Sequence, residues 1–272
     1  MSKVVKFGGS SLASAEQFKK VADIIHSDAE RRYVVPSAPG KRFKEDTKVT
    51  DMLYACYDMA EAGKDFDKAL TAIEARYEEI IEGLGLDVNL DGEFEIIRKN
   101  FDDRAGSNYA ASRGEYLNGI ILANYLGFDF IDAAEVVCFD AAGEFDQERT
   151  NSLLSARLAQ CEHAVIPGFY GAMPDGSVKT FSRGGSDITG SIVAKAAQAD
   201  VYENWTDVSG FLVADPGIIK NPRRIDVITY RELRELSYMG AGVLHEDAIF
   251  PVRREGIPIN IRNTNRPEDE GT

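Results

Sequence analysis

Four short runs of this chain hold residue types that could do chemistry together. The first is Lys6-Phe7-Gly8-Gly9-Ser10-Ser11. Val4, Val5 and Phe7 read as a strand, and the glycine pair lets the backbone turn tightly and approach a ligand, with a helix expected at once beyond it. The free N–H groups and partial positive charge of a helix start suit a phosphate, and Lys6 would add a full charge to the same spot. The spacing matches neither G-x-G-x-x-G nor G-x-x-x-x-G-K-[ST], so on these residues alone a plain tight turn stays open. The second run, Arg183-Gly184-Gly185-Ser186-Asp187, joins a strand to a helix. Its arginine can grip a carboxylate through two parallel hydrogen bonds, and a hydroxyl and a carboxylate follow at the helix start. The third, Thr206-Asp207-Val208-Ser209-Gly210, ends another strand with a hydroxyl and a carboxylate suited to a nucleoside. The fourth, Ser112-Arg113-Gly114-Glu115, lies in a helix and offers an acid that could meet an ammonium group. Taken singly, Asp187 reads equally well as a helix cap and Glu115 as half of a surface ion pair.

The elements that must position these runs follow from periodicity and punctuation. Ser14 with Gln17 is a capping-box pattern, and Phe18, Val21, Ala22 and Ile25 give the next helix one apolar face. Arg32 to Pro36 reads as a strand, and Ser37-Ala38-Pro39-Gly40 turns out of it. Residues 41–48 are mostly charged and read as a mobile, solvated loop, after which Thr50-Asp51 caps a helix. Residues 64–126 are expected to be mostly helix, an excursion lying beside a sheet. Beyond 128 the chain alternates, with strands expected at 128–131, 136–139, 163–167, 177–181, 200–205 and 258–261. Helices fall at 150–161, 187–198, from Thr229 to Tyr238, and at about 246–255. Such alternation predicts an α/β protein, a three-layer α-β-α sandwich with a mainly parallel central sheet. Ligands in such sheets bind at the carboxyl ends of strands, where the glycine-rich turns fall.

The bulk numbers exclude several function classes. The 272 residues, 44% hydrophobic and 28% charged, suffice for a large core. No run of about 18 apolar residues offers a membrane span. Strand residues begin at Lys3 and leave no room for a signal peptide, and Cys56, Cys138 and Cys161 read as reduced thiols, so a cytoplasmic setting is expected. His26, His163 and His245 are scattered, which argues against a zinc site or a Ser-His-Asp triad. A net charge of −14 argues against nucleic acid and anionic membranes as partners. It does not argue against ATP, because exposed charges beyond about 8 Å are screened and the few lining a site decide.

Taken together, the runs resemble the aspartate kinases of the amino-acid kinase family. The matching residues are Lys6 to Ser10, Ser37-Ala38 with Gly40, Thr50, Arg113-Gly114-Glu115, Arg183 to Asp187 and Trp205 to Val208. Met239-Gly240-Ala241, Val243-Leu244-His245 and Ile257-Pro258-Ile259 match as well, in order along the chain. The resemblance implies the amino-acid kinase fold and ATP-dependent phosphorylation of the side-chain carboxylate of L-aspartate, the first step toward lysine, threonine and methionine. It implies a catalytic group of Lys6, Gly8, Gly9 and Asp187. On the substrate side it implies Ser37, Thr50, Glu115, Arg183, Gly184, Gly185 and Ser186, with Arg183 on the α-carboxylate and Glu115 on the amine. On the nucleotide side it implies Lys6, Gly8, Gly9, Ser10, Thr206, Asp207, Leu212, Gly242 and Val243. Mg2+ is expected on the phosphates, with no dedicated protein metal cage.

The same resemblance divides the chain into a substrate lobe of about 1–181 and a nucleotide lobe of about 182–263. A polar linker is expected at 264–272, regulatory ACT domains are expected to be absent, and homo-oligomerisation is left open. The chain departs from the family at Gly217 and Gly242, where Arg and Lys are usual, which implies weaker ATP binding or replacement by Lys220, Arg223 or Arg224. The loop 41–48 is longer than in many relatives and is expected to act as a lid. Two other readings stay open: another amino-acid kinase acting on glutamate or acetylglutamate, and a non-catalytic ATP or amino-acid sensor.

Overall fold

The computed structural model describes every residue except Arg183, residues 215–217, Asn221 and residues 239–245, together with all but the side chains of 236–238, 246 and 247. Arg183, Gly217, Gly242 and Val243, singled out in the sequence, lie outside the described residues.

Strand β1 (Lys3–Phe7) passes through a 3₁₀ turn (Gly9–Leu12) into α1 (Ala15–His26), whose Ser14 hydroxyl accepts from the Gln17 amide. Strand β2 (Arg31–Pro36) follows, then four helices, α2 (Val49–Glu61), α3 (Asp67–Leu84), α4 (Asp91–Asp102) and α5 (Ser107–Leu126). Next come β3 (Asp129–Phe130), the single turn α6 (Ala133–Val136), α7 (Gln147–Leu158) and β4 (Ala164–Val165). Strands β5 (Tyr170–Ala172) and β6 (Val178–Thr180) precede α8 (Gly185–Ala196) and β7 (Val201–Thr206). The chain closes with α9 (Tyr230–Tyr238), α10 (Glu246–Glu255) and β8 (Ile259–Asn263).

Six of these strands form one sheet in the order β3-β4-β2-β1-β7-β8, and every pairing in it is parallel. Parallel pairing puts all carboxyl ends at one edge, so the turns after β1, β2, β4 and β7 converge there. Alternation along β1 feeds two cores. Val5 and Phe7 face α1–α5 together with Phe18, Leu70, Ile121 and Trp205. Val4 faces the other layer, with Ile192, Val193, Tyr202 and Ala248. Helix α8 sits close against β7 because Gly190 has no side chain: a Cβ there would lie 2.3 Å from the Tyr202 hydroxyl.

Several expectations need correction. Residues 136–139 do not form a sheet strand. The Asp132 carboxylate accepts from the Ala134 amide and caps the α6 turn, after which Cys138 makes only an isolated bridge to Ala172. Strands β5 and β6 pair antiparallel with each other, outside the main sheet. Thr50 does not cap α2; the N-cap is Lys48, without a side-chain bond, and Thr50 lies in the first turn. The loop 41–48 is solvent-exposed, as expected, but it is tied down. Arg42 grips Asp46 at 2.8 Å and Glu79 at 2.6 Å, and buried Arg76 faces Asp46 at 3.5 Å. The segment 264–272 is tied to β8: Ile261 and Thr272 exchange backbone bonds of 3.0 and 3.2 Å, and the Thr272 hydroxyl donates to the Ile225 carbonyl.

Candidate active site

At the end of β1, Lys6 alternates away from Val5 and Phe7 and points toward α8. Its ammonium lies 2.7 Å from Asp187 Oδ1 and donates to Asn204 Oδ1 at 3.4 Å. The Asn204 amide in turn donates to Asp187 Oδ1 at 2.9 Å. Asp187 stands in the first turn of α8, where a carboxylate meets the positive end of the helix. Its own carbonyl accepts from the Tyr202 hydroxyl at 3.1 Å. Lys6 is only 7% exposed, so its charge is neutralised by a partner rather than by water, and both partners fix its direction.

The turn after β1 differs in detail from the expectation. A four-residue 3₁₀ turn that starts at Gly9 itself, not the main helix, leads on from Gly8, and α1 begins only at Ala15. The first N–H groups of such a turn still lack partners within it, whereas the Gly8 amide donates to the Trp205 carbonyl at 3.0 Å. The two glycines are needed for different reasons. A Cβ on Gly9 would lie 2.9 Å from the Ala38 carbonyl oxygen, because the turns after β1 and β2 touch through their backbones. A Cβ on Gly8 would meet nothing closer than Lys6 Nζ at 3.5 Å. The absence of a side chain at Gly8 therefore leaves the ammonium open to a ligand.

The turn after β2 brings Ser37 and Ala38 against α5. Asn118 donates to the Ser37 carbonyl at 2.7 Å, and Gly114 packs so closely that a Cβ there would lie 2.7 Å from Ala38 Cβ and 3.7 Å from Thr50 Oγ1. Glu115 sits beside this contact, 5% exposed, and its Oε2 has no hydrogen-bond partner among the described residues. Burial pushes its carboxyl group up to about 8, against a bond from the Ala38 amide and the charge of Arg113. It is not half of a surface ion pair. Arg113, the neighbouring cation, is enclosed by the rings of Tyr109, Tyr116 and Tyr170 at 4.7, 4.2 and 5.5 Å.

The turn before α8 is shaped by Gly168 and Phe169. Gly184 has φ +62°, and Phe169 has φ +80°, a conformation rare for a bulky residue. The Phe169 amide donates to Thr189 Oγ1 at 3.0 Å, and its ring fills the place where a Gly185 Cβ would be, 2.5 Å from Cδ2. Ser186 is buried against Gly168 in the same way.

At the end of β7, the Thr206 hydroxyl donates to Asp207 Oδ1 at 3.2 Å, and Asn263 holds the Asp207 carbonyl at 3.2 Å. Leu212 lies farther along, 39% exposed and bridged to Arg224. With Ser209, Arg223, Arg224, Asp226, Arg266 and Asp269 it lines a cavity of about 570 Å³. Among the described residues, no group of three or more His, Cys, Asp or Glu could hold a metal ion.

The structure thus unites Lys6, Gly8, Gly9 and Asp187 in one cluster, and Ser37, Thr50 and Glu115 in a second that meets it through Gly9 and Ala38. Ser10, exposed, begins the turn beyond Gly9. No hydrogen bond or ion pair among the described residues joins Leu212 to either cluster. Asn204, Asn118 and Phe169 are site residues that the sequence reading missed. Asn204 carried a signal, since a polar side chain inside an otherwise buried strand calls for a partner.

Comparison with known proteins is consistent with this geometry. A profile of the amino acid kinase family matches residues 1–263. Aspartokinase 3 of Bacillus subtilis is 42% identical over 99% of this chain and 63% of its own length. The crystal structure of Clostridium acetobutylicum aspartate kinase superposes with a TM-score of 0.95 at 56% identity, covering 100% of this chain and 61% of that one. Escherichia coli aspartokinase III, solved in complex with aspartate and ADP, superposes at 0.84 with 28% identity, covering 100% of this chain and 64% of the other. The chain therefore spans rather less than two thirds of the length of these relatives.

Proposed function

The chain belongs to the amino acid kinase family, and from that premise we propose that it catalyses ATP-dependent phosphorylation of the side-chain carboxylate of L-aspartate, giving 4-phospho-L-aspartate. The observation that carries this reading is Glu115, a buried carboxyl group with one oxygen unpartnered among the described residues, beside the turn that follows β2. A free substrate ammonium supplies the missing partner; an acetylated amine carries no charge and does not. The aspartate and ADP in the solved relative support both ligands.

In this reading the attacking carboxylate is already ionised at neutral pH and needs no general base. Phosphoryl transfer then depends on positioning and on neutralising charge around the moving group. Lys6 supplies that charge, aimed by Asp187 and Asn204, with the amides of Gly9 and Ser10 beside it. A well-placed donor of this kind is typically worth about 3–4 kcal/mol of barrier. Glu115 takes the amine, Arg183 the α-carboxylate, and Ser37, Thr50, Gly184, Gly185 and Ser186 enclose the substrate. Thr206, Asp207 and Leu212, with Gly242 and Val243, take the nucleotide, and Arg223, Arg224 and Arg266 offer cations on that side. Apart from Arg183 to Ser186, which reach the substrate from the second lobe, this assigns about 1–181 to substrate and 182–263 to nucleotide.

Mg2+ fits this site only as a phosphate-held ion. Asp187 is engaged by Lys6, and Asp207 is the one exposed carboxylate among the described strand-end residues, consistent with an ion bound through one carboxylate and the substrate phosphates. When bound, it would supply charge neutralisation on the phosphates.

Trapping the acyl phosphate as its hydroxamate tests the reading, with L-aspartate, L-glutamate, N-acetyl-L-glutamate and blanks compared. Hydroxamate should form with L-aspartate well above the other three. No more hydroxamate with aspartate than in the blank would remove the assignment, and preference for the acetylated substrate would move it elsewhere in the family.

A further inference from the structure

Arg76 is the one α3 side chain that reaches back to the sheet edge. It is 5% exposed, on a helix whose other buried residues, Leu70, Ile73, Tyr77, Ile80 and Ile81, are apolar or aromatic. One amine of its guanidinium donates to the carbonyls of Gly40 at 3.1 Å and Ala13 at 3.3 Å. The other lies 3.5 Å from Asp46, which Arg42 grips from the opposite side.

Those two carbonyls belong to the two turns that meet at Gly9. Ala13 closes the 3₁₀ turn that starts at Gly9. Gly40 ends the turn after β2, where its amide donates to the Gly9 carbonyl at 2.8 Å and a Cβ would lie 2.6 Å from the Gly9 carbonyl carbon. The contact between the turns is therefore backbone on backbone, with no interlocking side chains of its own. A guanidinium can bridge them because its donors are fixed in a planar fork.

We propose that Arg76 is a positioning residue for phosphoryl transfer, clasping the turns after β1 and β2 so that the Gly8–Gly9 backbone and Lys6 keep their spacing from Ala38 and Glu115. The inference rests on the kinase reading, because it assigns the phosphate to the Gly8–Gly9 turn. Burying a charge without need is costly, and an apolar side chain in its place is often as stable or more so. Retention for fold stability alone is therefore the weaker account. Arg76 touches no reacting atom, and its effect passes through the two backbones it holds.

The test uses purified wild type, Arg76→Met and Arg76→Ala, with Ile73→Val as a core variant on the same helix. Arg76→Met, which fills the site without donors, should fold and lose at least fivefold in kcat. Ile73→Val should lower Tm while leaving kcat within twofold. In Arg76→Ala, low-millimolar guanidinium should restore activity severalfold, where equal sodium chloride or methylammonium does not. Rescue of kcat without a matching rise in Tm separates positioning from a purely structural role, which would recover both together.

A loss in Arg76→Met below fivefold, or a loss in Ile73→Val equal to it, overturns the proposal. Absence of guanidinium rescue in Arg76→Ala overturns it as well. If the wild type itself makes no aspartyl hydroxamate, the kinase reading fails. An active wild type with an unaffected Arg76→Met fails the clasp alone.

Discussion

At the scale of single residues, Glu115 makes the sharpest prediction. Its carboxyl group, raised to about 8 by burial, is mostly protonated at neutral pH in the free protein. Binding an ammonium requires the ionised form, so affinity for aspartate should rise as pH rises toward 8 and level off above it. Below that point KM for aspartate should fall about tenfold per pH unit, the dependence of one titrating group. Glu115→Gln should abolish this slope and raise KM for aspartate at least tenfold, about 1.4 kcal/mol, while KM for ATP changes less than threefold. Equal effects on both substrates would detach Glu115 from the amine.

The same shift predicts stability with the opposite sense. A carboxyl whose folded value lies above its unfolded 4.5 contributes stability below 4.5 that is lost as pH climbs to about 8. Thermal melts of wild type and Glu115→Gln should therefore diverge in favour of the variant between pH 5 and 8.5. For Lys6, buried between Asp187 and Asn204, Lys6→Ala should cost more than tenfold in kcat with the fold retained by circular dichroism. Activity within tenfold of the parent would count against its role.

Among elements, the turn after β1 separates packing from chemistry. Gly9→Ala places a methyl 2.9 Å from a backbone oxygen that cannot move alone, so it should lower Tm by several degrees and lose activity. Gly8→Ala makes only ordinary contacts, with the flexible Lys6 tip at 3.5 Å and the Trp205 carbonyl oxygen at 3.6 Å. Its Tm should stay within about 2 °C of wild type while kcat/KM for ATP falls. If Gly8→Ala were fully active, the phosphate would have to bind elsewhere.

Elements with strong local signals were legible in the sequence. They include the Ser14 cap of α1, the apolar stripe of α3, and the reciprocal Thr229–Glu232 bonds that open α9. Val136 to Phe139 misled because a β-branched and aromatic run suits either a sheet or the two isolated bridges it makes, Cys138 to Ala172 and Phe139 to Phe145. The tying of loop 41–48 was also hidden, because its anchor, Arg76, lies some thirty residues away on another helix.

For the whole molecule, the α/β class and parallel sheet followed from alternation, but strand order did not, because it depends on pairings between distant segments. Lys6 pairs with Val35 on one side and Asn204 on the other. The candidate site inherits that non-locality. Its glycine turns were visible as motifs, yet the Lys6–Asp187–Asn204 cluster exists only once β1 lies between β2 and β7.

That central placement of β1 has a consequence for how the protein acquires activity. Strand β1 cannot gain its second neighbour until about two hundred more residues have followed it, and pairings so distant in sequence form late and slowly. The single tryptophan, Trp205, reports the event. It stacks on Phe7 at 6.0 Å, with Arg31 and Arg262 over its ring and its indole N–H donating to the buried Glu203. On dilution from denaturant, the slowest change in tryptophan fluorescence and the return of kinase activity should share one rate constant. A chain that regained activity well before Trp205 reached its native emission would show that the site can assemble without the centre of its sheet.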